Sequence, residues 1–476
     1  YMRDQLLYAG ERLAAVDAAT VSDLVKLKEK LVDVKVWLSS ALSFQISCVD
    51  NFEFAPGQVQ DRLDAEQSYL GKVIGDSICL IGVLSQVGND LDKWLGPIPE
   101  EPPFIGHPGG RRGRRTRRRL LWKNQANSLT AAELGFREGD EFPAWVSAGD
   151  RRLLQSSASS VSANIVVAKD GSGDFTTVTA ALAGMPSSYS GRFVIYIKAG
   201  VYNEVFNVSS SKKKVTFIGD GIGNTVITGS RNVASGLYNT YRTSTVGISG
   251  SGFLARDLTF RNTAGPGGHQ AVALRAGADF LVFYRCGFEG YQDTLYALSS
   301  RQFYRECRIA GTVDFIFGNA IAIFQNCELV ARQPGDGQQN TYTAQGRKLA
   351  ADVSGFSFQN CTVGAEALPG GVSARTFLGR PWKAYSRVIF MQSEIGAVVD
   401  PAGWLQWNQS DPFIDTLFYG EYQNRGPGAA TGGRVAWPGV HPNLTQDEAD
   451  TFTVSNFIAG DEWLSPLQVQ YHNSLF

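Results

Sequence analysis

The sequence predicts a mainly β chain: a right-handed parallel β-helix over residues 163–476, preceded by a small, incomplete all-α helical bundle over 1–97. Three observations carry this. Short apolar strands recur throughout the last two thirds. Four cysteines in those strands, Cys286, Cys307, Cys327 and Cys361, follow one another at steps of 21, 20 and 34 residues. Long helical spacing is confined to the first hundred residues.

In the first segment, "DLVKLKEKLVDVKVWLSSAL" places Leu24, Leu27, Leu31, Val34 and Leu38 at spacings of three and four, the stripe of an amphipathic helix. "VQDRLDAEQSYLGKVIGDSICLIGVLSQV" carries a second such pattern. Residues 98–162 read as a linker. "GPIPEEPPFIGHPGG" breaks regular structure, and "RRGRRTRRR" places seven arginines in nine residues, a solvated basic tract. "GDRRLL" then exposes Arg151 and Arg152 to a processing protease.

From residue 163 the units "VTFIGD", "FLARDLTFRNTAG", "FLVFYRCGFEG", "RQFYRECRIAG", "AIFQNCELVAR", "GFSFQNCTVGA" and "VIFMQSEIGA" share one grammar. An apolar or aromatic pair is followed by Asn, Cys or Ser and another apolar residue. A strand-rich repeat of this length reads as a solenoid, each repeat one coil. A β-sandwich would alternate polar and apolar residues more cleanly and show hairpin turns.

Composition narrows the function. A net charge of −1 gives no electrostatic footprint for nucleic acid. No apolar run reaches the roughly 20 residues of a membrane span. The six cysteines form no CxxC pair, against a zinc ribbon or thioredoxin motif. With four histidines and no GxSxG elbow, a Ser–His–Asp hydrolase is disfavoured. His269 alone makes no metal site, and "GDGIGN" lacks the Walker lysine and reads as a turn. The chain opens on Tyr1 without a leader, so its start is expected upstream, with the signal peptide there. Sequons at Asn207, Asn360, Asn408 and Asn443 lean toward the secretory route and a glycoprotein.

An acid inside a strand asks for an explanation. "GTVDFIFGNA" sets Asp314 among Val, Phe and Ile, where an unpaired carboxylate costs several kcal/mol or stays protonated. Coils stack about 4.8 Å apart, so residues one repeat apart lie almost on top of each other. The 21-residue step from Cys286 to Cys307 brings these two within disulfide reach, as stacking does for Cys307 and Cys327, and the same step links Asp293 in "YQDTL" to Asp314. Gln270 lies 23 residues before Asp293, about one coil lower. Two close carboxylates do not both ionise easily. Arg380 in "LGRPW" is a candidate cation for the charged one, with Trp382 beside it as a flat apolar face. An ionised Asp is a nucleophile and a protonated one an acid, and the amides of Gln270 and Gln292 suit a developing oxyanion. These parts fit acyl transfer. A lone buried Asp is more often a turn residue, but five polar groups in phase on stacked coils are less easily dismissed.

The chain resembles the plant pectin methylesterase family with its inhibitor-like pro-region. Five motifs stand in the family's order: "GVYNE", "QAVAL", "YQDTL", "GTVDFIFG" and "LGRPW". The resemblance covers residues 163–476. It implies removal of methyl esters from homogalacturonan with release of methanol, in the cell wall or apoplast after secretion, by a monomer without a cofactor. It implies Asp314 as nucleophile, Asp293 as proton donor and later base, Gln270 and Gln292 as oxyanion donors, Arg380 as the partner of Asp314 and Trp382 as a substrate-stacking residue. Thr240 and Trp407 are further substrate contacts. It also implies disulfides Cys286–Cys307 and Cys327–Cys361, a subtilisin-like protease acting at Arg151–Arg152, and proteinaceous pectin methylesterase inhibitors as partners. The chain departs from the family in its short pro-region, in its Arg-rich tract, and in Gln5, which stands where a partner for Cys48 is expected. The rival β-helix enzymes fit less well. A polygalacturonase would carry NTD, GDD and RIK motifs, and a pectate lyase a dense acidic calcium cluster. A non-enzymatic wall protein or inhibitor would not need Asp293, Asp314 and Arg380.

Overall fold

The computed structural model describes residues 2–14, 24–50, 70–81, 162–410, 413–464, 467 and 470–476. The expected linker, its arginine tract and Arg151–Arg152 lie outside the described residues, as does the side chain of Cys48.

From residue 165 the chain winds through three sheets, A with eleven strands, B with eight and C with seven. One turn of the winding shows the order: Leu281–Tyr284 lies in sheet A, Gly287–Glu289 in B and Leu295–Ala297 in C. Each strand pairs in parallel with the equivalent strand of the next coil, as Phe283 does with Tyr304 and Leu295 with Ile316. Parallel neighbours need a long crossover, and here the rest of the coil supplies it. The result is the expected parallel β-helix.

The repeat grammar marks the corner between sheets A and B. One residue per coil takes a left-handed backbone there: Asp257, Arg285, Glu306, Asn326, Asn360, Gln392 and Gln423, with φ between 46° and 58°. The residue after it turns into the interior. Cys286, Cys307, Cys327 and Cys361 occupy that inward position, and the ladder bonds Arg308 N→Cys286 O, Glu328 N→Cys307 O and Thr362 N→Cys327 O stack them coil on coil. The expected disulfides are corrected here: all four are buried free thiols. The physical reason lies in the corner. It wants a small apolar residue, which a free cysteine is, and the weak S–H donors are satisfied by backbone carbonyls, as in Cys307 Sγ→Phe283 O at 3.3 Å and Cys361 Sγ→Phe324 O at 3.3 Å.

Inside sheet A an aromatic ladder runs through Phe283, Tyr304, Phe324, Phe358 and Phe390, with successive ring centroids 4.5–4.9 Å apart. Each stacked pair adds about 0.5–1.5 kcal/mol beyond its buried area. The outer face of sheet A is also apolar, and short helices after residue 446 cover it. Val454, Ile458, Trp463 and Leu464 pack against Leu254, Val282, Phe303, Ile321 and Ile323. The terminal segment is tied across three coils by glutamines, with Gln325 Nε2→His472 O, Gln359 Nε2→Ser474 O and Gln392 Nε2→Phe476 O at 2.7–2.8 Å.

The N-terminal segment is helical where described, over Met2–Ala14, Leu24–Asp50 and 70–81. Leu31, Val34 and Leu38 of the expected stripe are buried with Ala9, Ile74 and Ile78, and Gln5 is buried as well. The long helix docks on the turns that join sheet C to sheet A. Arg301 bonds Asp33 Oδ1 at 2.9 Å while gripping Asp279 with two further bonds, and Trp37 Nε1 donates to Asp279 Oδ2 at 3.1 Å. Asn319 Nδ2 donates to Ser43 Oγ at 2.8 Å.

Candidate active site

The corner from sheet B to sheet C assembles the site. Leu295 pairs with Ile316, and Ile316 with Thr343. Two residues before each stand Asp293, Asp314 and Thr341, so these three occupy successive coils in one column. The bond Asp293 N→Val313 O at 3.1 Å fixes the first step of the stack. Both aspartates take left-handed backbones, with φ of 64° for Asp293 and 52° for Asp314. Such conformations are sparsely populated for residues other than glycine, and Asp tolerates them better than most. The "GTVDFIFG" motif closes on Gly318, whose φ is 125° and where an added Cβ would lie 2.0 Å from Ala297 O.

Asp314 is held from two sides. Arg380 donates from Nε to Oδ1 at 2.8 Å and from Nη2 to Oδ2 at 2.7 Å. Thr341 Oγ1 donates to Oδ1 at 2.6 Å and accepts from the Asp314 amide at 2.7 Å. The ion pair is well covered, with side-chain exposures of 22% for Arg380 and 7% for Asp314. A paired, hydrogen-bonded carboxylate meets the cost of burial that an isolated one does not. For Arg380, burial pulls the pKa down, but the charge of Asp314 and its hydrogen bonds outweigh this and raise it overall.

Asp293 is the other half of the arrangement. Burial, and then the charge of Asp314, push its carboxyl well above the usual carboxylate range, with Arg380 pulling the other way. One carboxylate is thus tied to a guanidinium and the other favours its proton, the division of labour a nucleophile and an acid require. The glutamines flank the pair. Ala271 N donates to Gln292 O at 3.2 Å, so Gln270 and Gln292 lie on neighbouring coils, both half-buried.

Beside the acids, the outer face of sheet C carries a second aromatic stack. Tyr296 and Phe317, each three residues after an aspartate, have ring centroids 4.2 Å apart. Trp382 stands edge-on to both, at 6.5 Å and 6.0 Å. Trp407 lies over the Arg380 guanidinium at 4.5 Å. Both tryptophans expected from the sequence thus lie against Tyr296 and Phe317, stacked aromatics that the sequence reads as core and that are 3% and 4% exposed. Thr240 is half-buried in a single helical turn, Thr240–Arg242, where its carbonyl receives the Thr243 hydroxyl at 2.7 Å. Its neighbour Tyr241 is the residue that joins the aromatic cluster, lying over Arg275 at 3.6 Å. Phe44 of the long N-terminal helix packs on the same cluster.

A family model described as Pectinesterase matches residues 164–461. The chain belongs to the pectinesterase family. Its similarity to "Probable pectinesterase/pectinesterase inhibitor 44" of Arabidopsis thaliana is 43% identity over 446 residues, 93% of this chain and 80% of that one. To "Pectinesterase 2" of Citrus sinensis it is 49% over 355 residues, 74% of this chain and 68% of that one. Among solved structures it resembles the pectin methylesterase from carrot, at 50% identity and a TM-score of 0.64, covering 66% of this chain and 99% of that one. A pectin methylesterase solved in complex with a hexasaccharide is 26% identical with a TM-score of 0.53, again over 66% of this chain and 99% of that one. The family model covers the β-helix of this pectinesterase that bears the aspartate column, and the match to the Arabidopsis relative runs on over 93% of the chain.

Proposed function

We propose that this pectinesterase hydrolyses the methyl esters of homogalacturonan with Asp314 as nucleophile and Asp293 as acid and base. An Asp314 carboxylate oxygen attacks the ester carbonyl carbon. The amides of Gln270 and Gln292 receive the charge that develops on the carbonyl oxygen. The bond to the methoxy group breaks, and Asp293 gives its proton to the leaving oxygen, so methanol departs. The acyl group is left as an anhydride on Asp314. The Asp293 carboxylate then takes a proton from water, the resulting hydroxide attacks the acyl carbon, and Asp314 leaves as a carboxylate. Arg380 pairs with the nucleophile through two hydrogen bonds and orients it at both ends of this cycle. The half-buried Trp382 and Trp407 offer flat faces to the sugar rings, backed by the buried Tyr296–Phe317 stack, with Thr240 and Tyr241 along the same face.

The observation that carries this reading is the two-point Arg380–Asp314 pair stacked against a carboxyl that favours its proton. The substrate places the enzyme in the cell wall or apoplast. Cleavage at Arg151–Arg152 by a subtilisin-like protease and capture by inhibitor proteins belong to the same proposal. The test is methanol release from methylated pectin by Asp314→Asn and Asp293→Asn, with circular dichroism checking the fold and a reducing-end assay run alongside. Both variants should lose more than nine tenths of kcat, a barrier increase above about 1.4 kcal/mol. A folded variant that keeps more than about a tenth loses its assigned role, and reducing ends appearing with the methanol would point to chain cleavage instead.

A further inference from the structure

We infer that Thr341 is a positioning residue for the nucleophile and that it selects Oδ2 of Asp314 as the attacking oxygen. This rests on the reading of Asp314 as nucleophile. Thr341 belongs to the strand Asn340–Gln345 and is fully buried. It stacks on Asp314 as Asp314 stacks on Asp293, through the pairing of Ile316 with Thr343.

The hydroxyl sits in a closed circuit. Its oxygen accepts the Asp314 amide proton at 2.7 Å, and its own proton goes to Oδ1 of the same residue at 2.6 Å. The first bond settles the direction of the second, because a lone pair facing the amide leaves the hydroxyl proton free to face the carboxylate. Backbone and side chain of Asp314 are thereby tied to one anchor. That anchor supports a left-handed backbone at φ 52°, a conformation that persists only where its surroundings over-determine it.

The two carboxylate oxygens are then unequal. Each has about two lone-pair sites in the carboxylate plane. Oδ1 accepts from Thr341 Oγ1 and from Arg380 Nε, which fills both. Among the described residues Oδ2 accepts only from Arg380 Nη2, leaving one pair to attack with. When the Oδ2–carbon bond forms and the bond to methoxide breaks, Oδ1 becomes the carbonyl oxygen of the anhydride and keeps both donors. When water attacks the acyl carbon, the same donors receive the charge that returns to Asp314. Thr341 therefore acts on both chemical steps without touching the sugar.

The experiment compares Thr341→Val, Thr341→Ser and Asp314→Asn in the full chain, measuring kcat and KM for methanol release. Thr341→Val keeps the shape and loses the hydroxyl. A hydrogen bond to a charged group is the interaction removed, so kcat should fall about 10- to 100-fold with KM within about twofold of wild type. Thr341→Ser restores the hydroxyl and should recover kcat to within about threefold. Thr341→Val at wild-type kcat, or Val and Ser falling alike, overturns the inference. If Asp314→Asn is inactive at the same time, the nucleophile assignment stands without it; if Asp314→Asn is active, that assignment fails first. Should Thr341→Val not fold, Thr341→Cys supplies a weak donor of similar size, and its kcat should lie between those of Ser and wild type on one side and a tenth of wild type on the other. Full wild-type activity in the cysteine variant overturns the inference.

Discussion

Replacing Arg380 by lysine keeps the positive charge and removes the planar fork. The wild-type side chain makes two short bonds to Asp314, at 2.8 and 2.7 Å, and lies under the Trp407 ring at 4.5 Å. A lysine ammonium reaches one carboxylate oxygen and stacks poorly. Losing one hydrogen bond to a charged group is worth about 1.5–3 kcal/mol, or roughly 10- to 150-fold in kcat. The pair is largely covered, so solvent screens little of this. Arg380→Ala removes both bonds and leaves a buried carboxylate without its counter-charge, a change of about 3–5 kcal/mol and a correspondingly larger loss. The pH dependence supplies a second reading. Arg380 lowers the pKa of Asp293 against burial and the charge of Asp314, which raise it. Without Arg380 the Asp293 proton is held more tightly, so the alkaline limb of the kcat profile should move to higher pH in Arg380→Ala and less in Arg380→Lys. Methanol release from methylated pectin across pH measures both effects. A lysine variant within threefold of wild type, or an alkaline limb that moves down in the alanine variant, refutes the reasoning.

Two further outcomes follow from buried groups. Asp293 binds its proton more tightly folded than unfolded, so between the ordinary value of 3.8 and its raised value the native state holds a proton that the unfolded chain has released, and stability falls as pH rises through that window. Asp293→Asn should therefore melt at a higher temperature than wild type at neutral pH, with the gap closing in acid; a gap independent of pH would discard the explanation. The four cysteines of the sheet A to sheet B corner should all be alkylated when the chain is unfolded without reductant. Mass spectrometry finding any one of them joined to its neighbour would show that the stack closes into a disulfide.

The architecture was legible in the sequence because a β-helix repeats its own constraints. Most coils set a left-handed residue and then a small inward one at the same corner, with Leu258 the larger exception, so Asn, Cys and Ser recur in step with the apolar strands. The 21-residue interval from Cys286 to Cys307 set the register, and the same interval put Asp293 beneath Asp314. Arg380 could be chosen as the cation because a buried acid demands one, and the guanidinium does reach Asp314. Other features were decided only by the folded chain. Thr341 lies 27 residues after Asp314, since the segment 332–339 lengthens that coil, and no regular interval points to it. Tyr296 and Phe317 have the composition of core residues, and only the direction of their strand shows that they face outward. Whether stacked cysteines remain thiols is not a property of their spacing, which serves either state. Nor could the sequence show where the long helix docks, because Asp33, Trp37 and Ser43 meet Asp279, Arg301 and Asn319 across more than 200 residues. Periodic spacing determines what stacks on what; the contacts between distant segments, and the side of the sheet each residue faces, arise when the coils close.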